Sequence, residues 1–559
     1  MFSYHELKEQ VYRMLNEYTG LPIGEKRISE DVMRNQEEYR RMVSTGIRSC
    51  CSGNYGAKEM VKELIRAYII NKLGMKAIEI EAVLPAHLPE KLSARQMFEF
   101  LIYMEDRDTE KGFQKLWENS GWKESGENVS ITEEMVRGLY VQKMDNIERE
   151  DSLMVLSQLL FADTVGLGVI DTLNQQQGCI EEIQLGMNGL AENVYNYREE
   201  VLYKTDNKLY ARDGIHVLIQ GKMVWLRFLS FGTEAELRRV LTNLIKDSKA
   251  GELTRNHPMI VVDTIDGRRV SVSRPPMTDS WVGLIRKFDT VTATSLESLY
   301  AHEENGVLAE LLRWIVRSGR NIAITGEMAS GKTTLFRACL RETEKDRNLR
   351  IIEVDSFELN VRGFLPERNS VTMRISDETP AEEVLGFARK TTGQIFAVGE
   401  ISSPAVAVMM MDLSKIATQL FFSAHYVTTD HMISDFVNAK LYVGGYKEES
   451  LARLDVVRCL GFDIHLHNRF GKRRVSYINE IVMESAESSG TSYEIRPIYQ
   501  YDEKIGGGVF LNRPGKVTYM RAKDELRPED FSRFVAFFEG LEEGNETKAK
   551  AKIQDVVPV

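Results

Sequence analysis

The chain has no run approaching the roughly 18 uninterrupted apolar residues of a membrane-spanning helix. Its opening, MFSYHELKEQ, lacks a basic region followed by an apolar one, so no secretory leader is expected. Cysteine is scarce: Cys50, Cys51, Cys179, Cys339 and Cys459 are odd in number and scattered, with no CxxC pair for a metal or redox site. Reduced, structural thiols are the expectation. An excess of positive charge is missing too, since 72 Lys and Arg stand against 83 Asp and Glu, and the net charge of −11 argues against broad binding to nucleic acid. No basic stripe interleaved with aromatics appears, and there is no internal repeat or long low-complexity tract. These absences predict a cytoplasmic protein that reaches a membrane, if at all, through a partner.

What is present is ordinary globular composition, 43% hydrophobic and 28% charged. At 559 residues the chain has room for roughly three or four domains. Residues 1 to about 150 carry apolar positions at helical spacing, as in EMVKELIRAYIINKLGM, and predict a helical region. From 151 to 300 the pattern changes. KMVWLRFLSF reads as a strand, Thr233 to Glu236 as a capping box, and the two apolar runs around Asp266-Gly267 as a hairpin, which together predict an α+β domain ending in a linker. Residues 301 to 484 alternate apolar runs with helical segments, the pattern of a parallel sheet covered by helices. The polar stretch ESAESSGTS then sets off residues 485–559 as an appendage.

Within the third segment lies NIAITGEMASGKTTLFRACL. Gly326, Glu327, Met328, Ala329, Ser330, Gly331, Lys332 and Thr333 fit GxxxxGK[ST]: the backbone N–H groups of such a loop wrap a phosphate, the lysine reaches the β- and γ-phosphates, and the threonine hydroxyl binds Mg²⁺. Asn321–Thr325 supplies the preceding strand, and from Thr334 onward a helix presents its positive N-terminal end to the phosphates. Three acids, Asp355, Glu358 and Glu400, follow apolar runs, and in an open parallel sheet the carboxyl ends of the strands share one edge. They are therefore candidates to hold Mg²⁺ or orient water, as solvent-facing strand ends would not. His425 also ends an apolar run, either as a structural histidine or as a group that polarises the γ-phosphate. His465 and His467 alternate along a strand, but with no third ligand in view they read as a surface strand rather than a metal site.

In this order the pieces resemble the secretion ATPase family, the motors of type II and type IV secretion and of type IV and tight-adherence (Flp) pili, and the tight-adherence branch most of all. SCCSGNYGAKEMVKELI is similar to that branch's N-terminal segment. NHPMIVVDTIDGRRVSVSRPP with the later IRKF resembles the family's middle domain. DSFEL resembles its Asp box, VGE the end of its Walker B strand, SAH the end of its His box, and RFGKRRVSYINEIV the strand pair that closes the motor. The resemblance implies an α/β, RecA-like P-loop motor domain preceded by an α+β middle domain and a helical N-terminal region. It implies ATP and Mg²⁺ as ligands, with Thr333 and Asp355 on the metal and Glu358, Glu400 and His425 at the reaction centre. Arg269 and Arg286 would be middle-domain arginines that stabilise charge on the γ-phosphate. A homo-oligomer, usually a hexameric ring, and a polytopic inner-membrane partner are implied too, which would place the protein in the cytoplasm at the inner face of the membrane; no nucleic acid is expected.

Several positions depart from the family pattern. Val354 precedes Asp355 where an acid is usual, Gln394 stands before the Walker B strand, and Gly399-Glu400 continues as Ile401-Ser402. Ala405 replaces a further acid, Gln419 lies near the place of the first His-box histidine, and Ala329 occupies a common glycine position. Each change removes a contact that helps place magnesium, water or a neighbouring subunit, and one such contact is worth on the order of 10²–10³ in rate. The retained phosphate- and metal-binding groups favour a slow but active ATPase. The alternative is a nucleotide-binding scaffold of the same apparatus with little or no hydrolysis.

Overall fold

The computed structural model describes residues 2–19, 30–51, 53–105, 107, 111–122, 130–187, 194–196, 201–203, 214–246, 253–288, 295–300, 306–355, 357–376, 378–469, 472–483 and 493–554. The chain divides into two compact units, Met1–Thr290 and Val291–Val559. Among the described residues no helix is long and apolar enough to cross a membrane, and all five cysteines are buried and free.

In the first unit the helical spacing of EMVKELIRAYIINKLGM becomes the helix Tyr55–Ala67, which runs on as a π turn over Tyr68–Lys72. Asn54 caps it by accepting from the Ala57 N–H, and Val61, Ile65 and Ile69, four residues apart, turn one fully buried stripe to the core. Among the described residues nine strands follow in the sequence order β1 (Ser130–Ile131), β2 (Ile180–Met187), β3 (Val194–Asn196), β4 (Val201–Tyr203), β5 (Gly214–Ile219), β6 (Lys222–Leu226), β7 (Met259–Asp263), β8 (Arg269–Ser273) and β9 (Val282–Arg286). Seven form one sheet in the order β1-β6-β5-β2-β9-β8-β7, antiparallel except for β1–β6, while β3 and β4 pair separately. The hairpin read around Asp266-Gly267 is β7–β8; its turn needs the left-handed φ of +81° at Gly267. Thr233 caps the helix Glu234–Ile245 through its hydroxyl, as its sequence predicts. Helices and sheet share one continuous hydrophobic core from Leu7 to Ile285.

The second unit contains β10 (Ile322–Gly326), β11 (Leu349–Val354), β12 (Ser370–Ile375), β13 (Ile395–Val398), β14 (Gln419–Ala424), β15 (Phe462–Arg469), β16 (Lys472–Met483), β17 (Tyr493–Asp502) and β18 (Gly507–Phe510). They form one sheet in the order β12-β11-β13-β14-β10-β15-β16-β17-β18. The first six strands are mutually parallel, and β16–β18 extend the edge as an antiparallel meander. Strands such as β10, β13 and β14 are buried along their whole length because helices cover both faces, which is why they read as unbroken apolar runs. One face carries Val307–Arg317 and Lys332–Glu342; the other carries Ala381–Ala388, Pro404–Ser414, Thr429–Tyr442 and Glu449–Cys459. This is the expected fold class: a RecA-like α/β P-loop unit preceded by helices and an α+β sheet.

The polar stretch Glu484–Ser492 and the linker beyond Phe288 lie outside the described residues. The segment after the polar stretch belongs to the second unit. β17 pairs with β16, the helix Lys516–Glu525 is tied down by the buried Glu480, which accepts from the Gly515 N–H (2.6 Å) and the Thr518 hydroxyl (2.5 Å), and Phe534 of the helix Pro528–Gln554 meets Trp314 edge-on at 6.1 Å.

Candidate nucleotide site

The loop between β10 and the helix Lys332–Glu342 has the backbone its glycines allow. Gly326 has φ +138°, and a Cβ there would come within 2.2 Å of the Leu466 carbonyl oxygen. Gly331, at φ +96°, starts the helix. Ala329 also takes a left-handed φ, +58°, a conformation that costs a residue with a Cβ about 1–2 kcal/mol and that explains why glycine is common at this position. The Ser330 Oγ, on a residue only 1% exposed, has no hydrogen-bond partner. An unpaired donor at a helix N-terminus, inside a ring of backbone turned by two glycines, fits a phosphate cradle.

Lys332 is buried, and its Nζ donates to the carbonyls of Gly326 (2.9 Å) and Glu327 (2.7 Å) and lies 3.2 Å from the His425 Nδ1. The other ring nitrogen of His425, Nε2, is 3.4 Å from the Glu400 Oε1. The sequence-predicted Lys332, His425 and Glu400 are therefore one connected chain at the carboxyl edge of β10, β13 and β14. Met328, 75% exposed, stands at the outer tip of the loop.

A second group gathers beside it. Thr333, Glu358 and Glu400 line a cavity of about 20 Å³ together with Glu353, Val354, Leu359 and Gly399. Glu358 is brought round by a turn whose carbonyls are gripped by Arg337 of the helix after the loop, Nη2 to the Glu358 oxygen (2.6 Å) and Nε to the Leu359 oxygen (2.9 Å). Asp355 is not in this group: it ends β11 in a left-handed conformation (φ +61°), exposed, with its N–H bonded to the Ile375 carbonyl (2.9 Å). Among the described residues no cluster of three or more His, Cys, Asp or Glu could hold a metal ion. A cation beside Thr333 would therefore have to complete its oxygen shell from nucleotide phosphates and water, as Mg²⁺ commonly does.

Glu353 was not singled out in the sequence, although a lone acid inside the apolar run of β11 was the available sign. It is 2% exposed, and burial, with Glu358 nearby, lifts its carboxyl to about 7 against the pull of backbone hydrogen bonds.

The β15–β16 hairpin, about 140 residues downstream, clamps the loop. The Ala329 carbonyl accepts from the Arg473 Nε (3.0 Å) and the Asn468 Nδ2 (3.3 Å), and the Glu327 carboxylate accepts from the Asn468 N–H (3.0 Å) and lies 2.9 Å from the His467 Nδ1. Beneath the loop, the fully buried Asp463 accepts from the Thr325 hydroxyl (2.6 Å) and the Thr429 hydroxyl (2.7 Å). The Thr325 Oγ1 also lies 2.9 Å from the His465 Nδ1, and the His465 ring stacks on Tyr477. Burial raises Asp463 to about 6 and lowers His465 to about 4. The surface-strand reading therefore fails for His465 and holds for His467: β15 is interior through Leu466, and the partly exposed His467 lies beside Glu327 of the loop.

Two of the replaced motif positions, Gln394 and Gln419, have structural work at the opposite, amino edge of the strands. Gln394 accepts from the Asn348 N–H (3.1 Å), and Gln419 donates to the carbonyls of Val316 (2.7 Å) and Arg320 (3.0 Å). In the first unit, Arg269 and Arg286 are direct cross-strand partners on β8 and β9, flanked in the same row by Asp263 on β7 and Glu182 on β2. Facing like charges repel, and the acids at both ends of the row offset this; the Arg269 Nε is 3.7 Å from the Asp263 Oδ1. Their neighbour Arg268 is buried and bonded to Asn174, so it is a structural arginine.

No family model and no curated protein matches the chain. Among solved structures it is similar to the VirB11 ATPase of the Brucella suis type IV secretion system in complex with sulphate, at 18% identity over 54% of this chain and 88% of that one, with a TM-score of 0.28. It is similar to the pilus retraction motor PilT with bound ADP at 13% identity over 62% and 83%, TM-score 0.34. The ATPase DotB of Yersinia pseudotuberculosis is similar at 13% identity over 69% and 86%, TM-score 0.38.

Proposed function

We propose that the chain is an ATP-hydrolysing motor subunit that powers assembly of a pilus-like or type II/IV secretion apparatus. The observation that carries this is the convergence of the phosphate loop, the Lys332–His425–Glu400 chain and the Thr333–Glu358–Glu400 cavity at one sheet edge. Lys332 binds phosphate once it leaves the loop carbonyls it now satisfies. Glu400 and His425 orient water at the γ-phosphate, and Glu358 acts from the facing strand end. Thr333 would hold Mg²⁺, with nucleotide oxygens completing its shell, and the ion would supply charge neutralisation for phosphoryl transfer. Arg269 and Arg286, from the first unit, are proposed to stabilise charge on the transferring group. The working form is a homo-oligomeric ring, by resemblance a hexamer, docked in the cytoplasm on a polytopic inner-membrane protein, with residues 1–150, 151–300, 301–484 and 485–559 as its functional segments.

The test is ATP turnover on sized oligomers with and without magnesium. Lys332→Ala should abolish nucleotide binding and turnover. Glu400→Gln should retain binding and lose on the order of 10²–10³ in kcat. Turnover that is independent of Lys332 refutes the assignment. The scaffold alternative is favoured by Val354, an uncharged residue lining the cavity where the resembling motif carries an acid; wild-type nucleotide binding with turnover no faster than that of Glu400→Gln selects it.

A further inference from the structure

The cavity between Thr333, Glu353, Glu358, Gly399 and Glu400 holds an unsatisfied acceptor. Glu353 is 2% exposed; its Oε2 accepts from the Leu359 N–H at 3.0 Å, while its Oε1 has no hydrogen-bond partner. A buried carboxylate oxygen left without a donor costs about 1–3 kcal/mol or more, so an orphan of this kind calls for an explanation. The cavity's volume of about 20 Å³ exceeds the roughly 10–15 Å³ that one water molecule requires. Its walls offer the two to four polar partners a buried water needs: the Glu353 carboxylate, the Thr333 hydroxyl and the carboxylates of Glu358 and Glu400. Gly399 is shaped to this arrangement, since a Cβ there would stand 3.2 Å from the Glu353 Cγ.

We propose that Glu353 anchors a structural water in this cavity and that, through it, Glu353 positions Glu358, Glu400 and Thr333 for hydrolysis. The inference rests on the hydrolytic reading of the site. Glu353 is a positioning residue: it stands one place before Val354, where the resembling motif carries its acid, and does its work without touching substrate. In the step it supports, the oxygen of a separate water forms a bond to the γ-phosphorus, the bond from that phosphorus to the β–γ bridging oxygen breaks with its electron pair staying on ADP, and both of the water's protons leave on inorganic phosphate as H₂PO₄⁻.

Two variants of the full chain and two structure determinations test this. Glu353→Met fills the cavity and removes the orphan oxygen, whereas Glu353→Gln keeps the shape and an acceptor. A crystal structure of the wild type at a resolution that shows ordered solvent is expected to place a water about 2.6–3.2 Å from Oε1, and that of Glu353→Met to lack it. Glu353→Met should fall on the order of 10²-fold in kcat with unchanged nucleotide affinity and a Tm equal to or above wild type, and Glu353→Gln should recover much of the rate. A dry wild-type cavity overturns the proposal. So does wild-type kcat in Glu353→Met, or a loss confined to Tm and nucleotide affinity. If the wild type does not turn over ATP, the hydrolytic reading fails and the positioning role falls with it, while the density still decides whether the water is there.

Discussion

Thr325→Val isolates the buried network under the phosphate loop. The substitution keeps the shape of the side chain and deletes one hydroxyl, which donates to Asp463 at 2.6 Å and lies 2.9 Å from the His465 Nδ1. Asp463 and Thr325 are 0% exposed and His465 is 9% exposed, so water cannot readily replace the lost partner. A bond to a charged acceptor is worth about 1.5–3 kcal/mol and a neutral one about 0.5–1.5, which gives a loss of about 2–4.5 kcal/mol. For a unit of this size each kcal/mol moves Tm by roughly 2–4 °C, so the second unit should melt roughly 4–18 °C lower. Differential scanning calorimetry at pH 7.5 reads this directly, with Thr325→Ser, which retains the hydroxyl, as the control. Because Asp463 also accepts from Thr429, at the start of the helix four residues beyond His425, the variant should lower nucleotide affinity as well. A Tm within about 1 °C of wild type, or equal damage from Thr325→Ser, would falsify the network's role.

The same network predicts a masked pH dependence. His465, lowered to about 4 from an unfolded value near 6.5, contributes stability above pH 6.5 that is lost as pH falls toward 4, whereas Asp463, raised to about 6 from about 3.9, makes stability fall as pH rises over nearly the same window. The slopes oppose; Asp463→Asn should uncover the histidine's, with stability rising by up to about 1.4 kcal/mol per pH unit between 4 and 6.5, and a Tm profile as flat as wild type counts against it. Ala329→Gly should relieve the left-handed backbone and raise stability by about 1 kcal/mol in urea unfolding; a decrease would mean that the loop's φ of +58° is not held in solution. Phe534→Ala should cost about 3–5 kcal/mol in the second unit, because the ring is fully buried against Trp314, Tyr519 and Phe538. A cost under about 1 kcal/mol would show that residues beyond 492 are dispensable to that unit's core.

The amino-acid sequence by itself determined what is local. Gly326 to Thr333 announced a phosphate loop because the cradle is made of consecutive backbone groups at fixed spacing, and the apolar runs of β10, β11, β13 and β14 announced a covered parallel sheet because both faces of each strand are buried. The edge rule for such sheets placed Asp355, Glu358 and Glu400 at the edge of the loop; Glu358 and Glu400 line one cavity with Thr333, while Asp355 is exposed. Only the tertiary structure decided the rest, since it depends on residues far apart in the chain or on which way a side chain turns. A strand buried on both faces has no alternation to reveal direction, so the acid within IIEV was a sign without an address: the sequence did not say that Glu353 lines the site, nor that Asp355 is exposed. Asn468 and Arg473 reach Ala329 across about 140 positions, and β17 joins the sheet from beyond a polar stretch that looked like a boundary; pairings of this kind are set by packing and closure of the whole sheet, which no window of sequence contains.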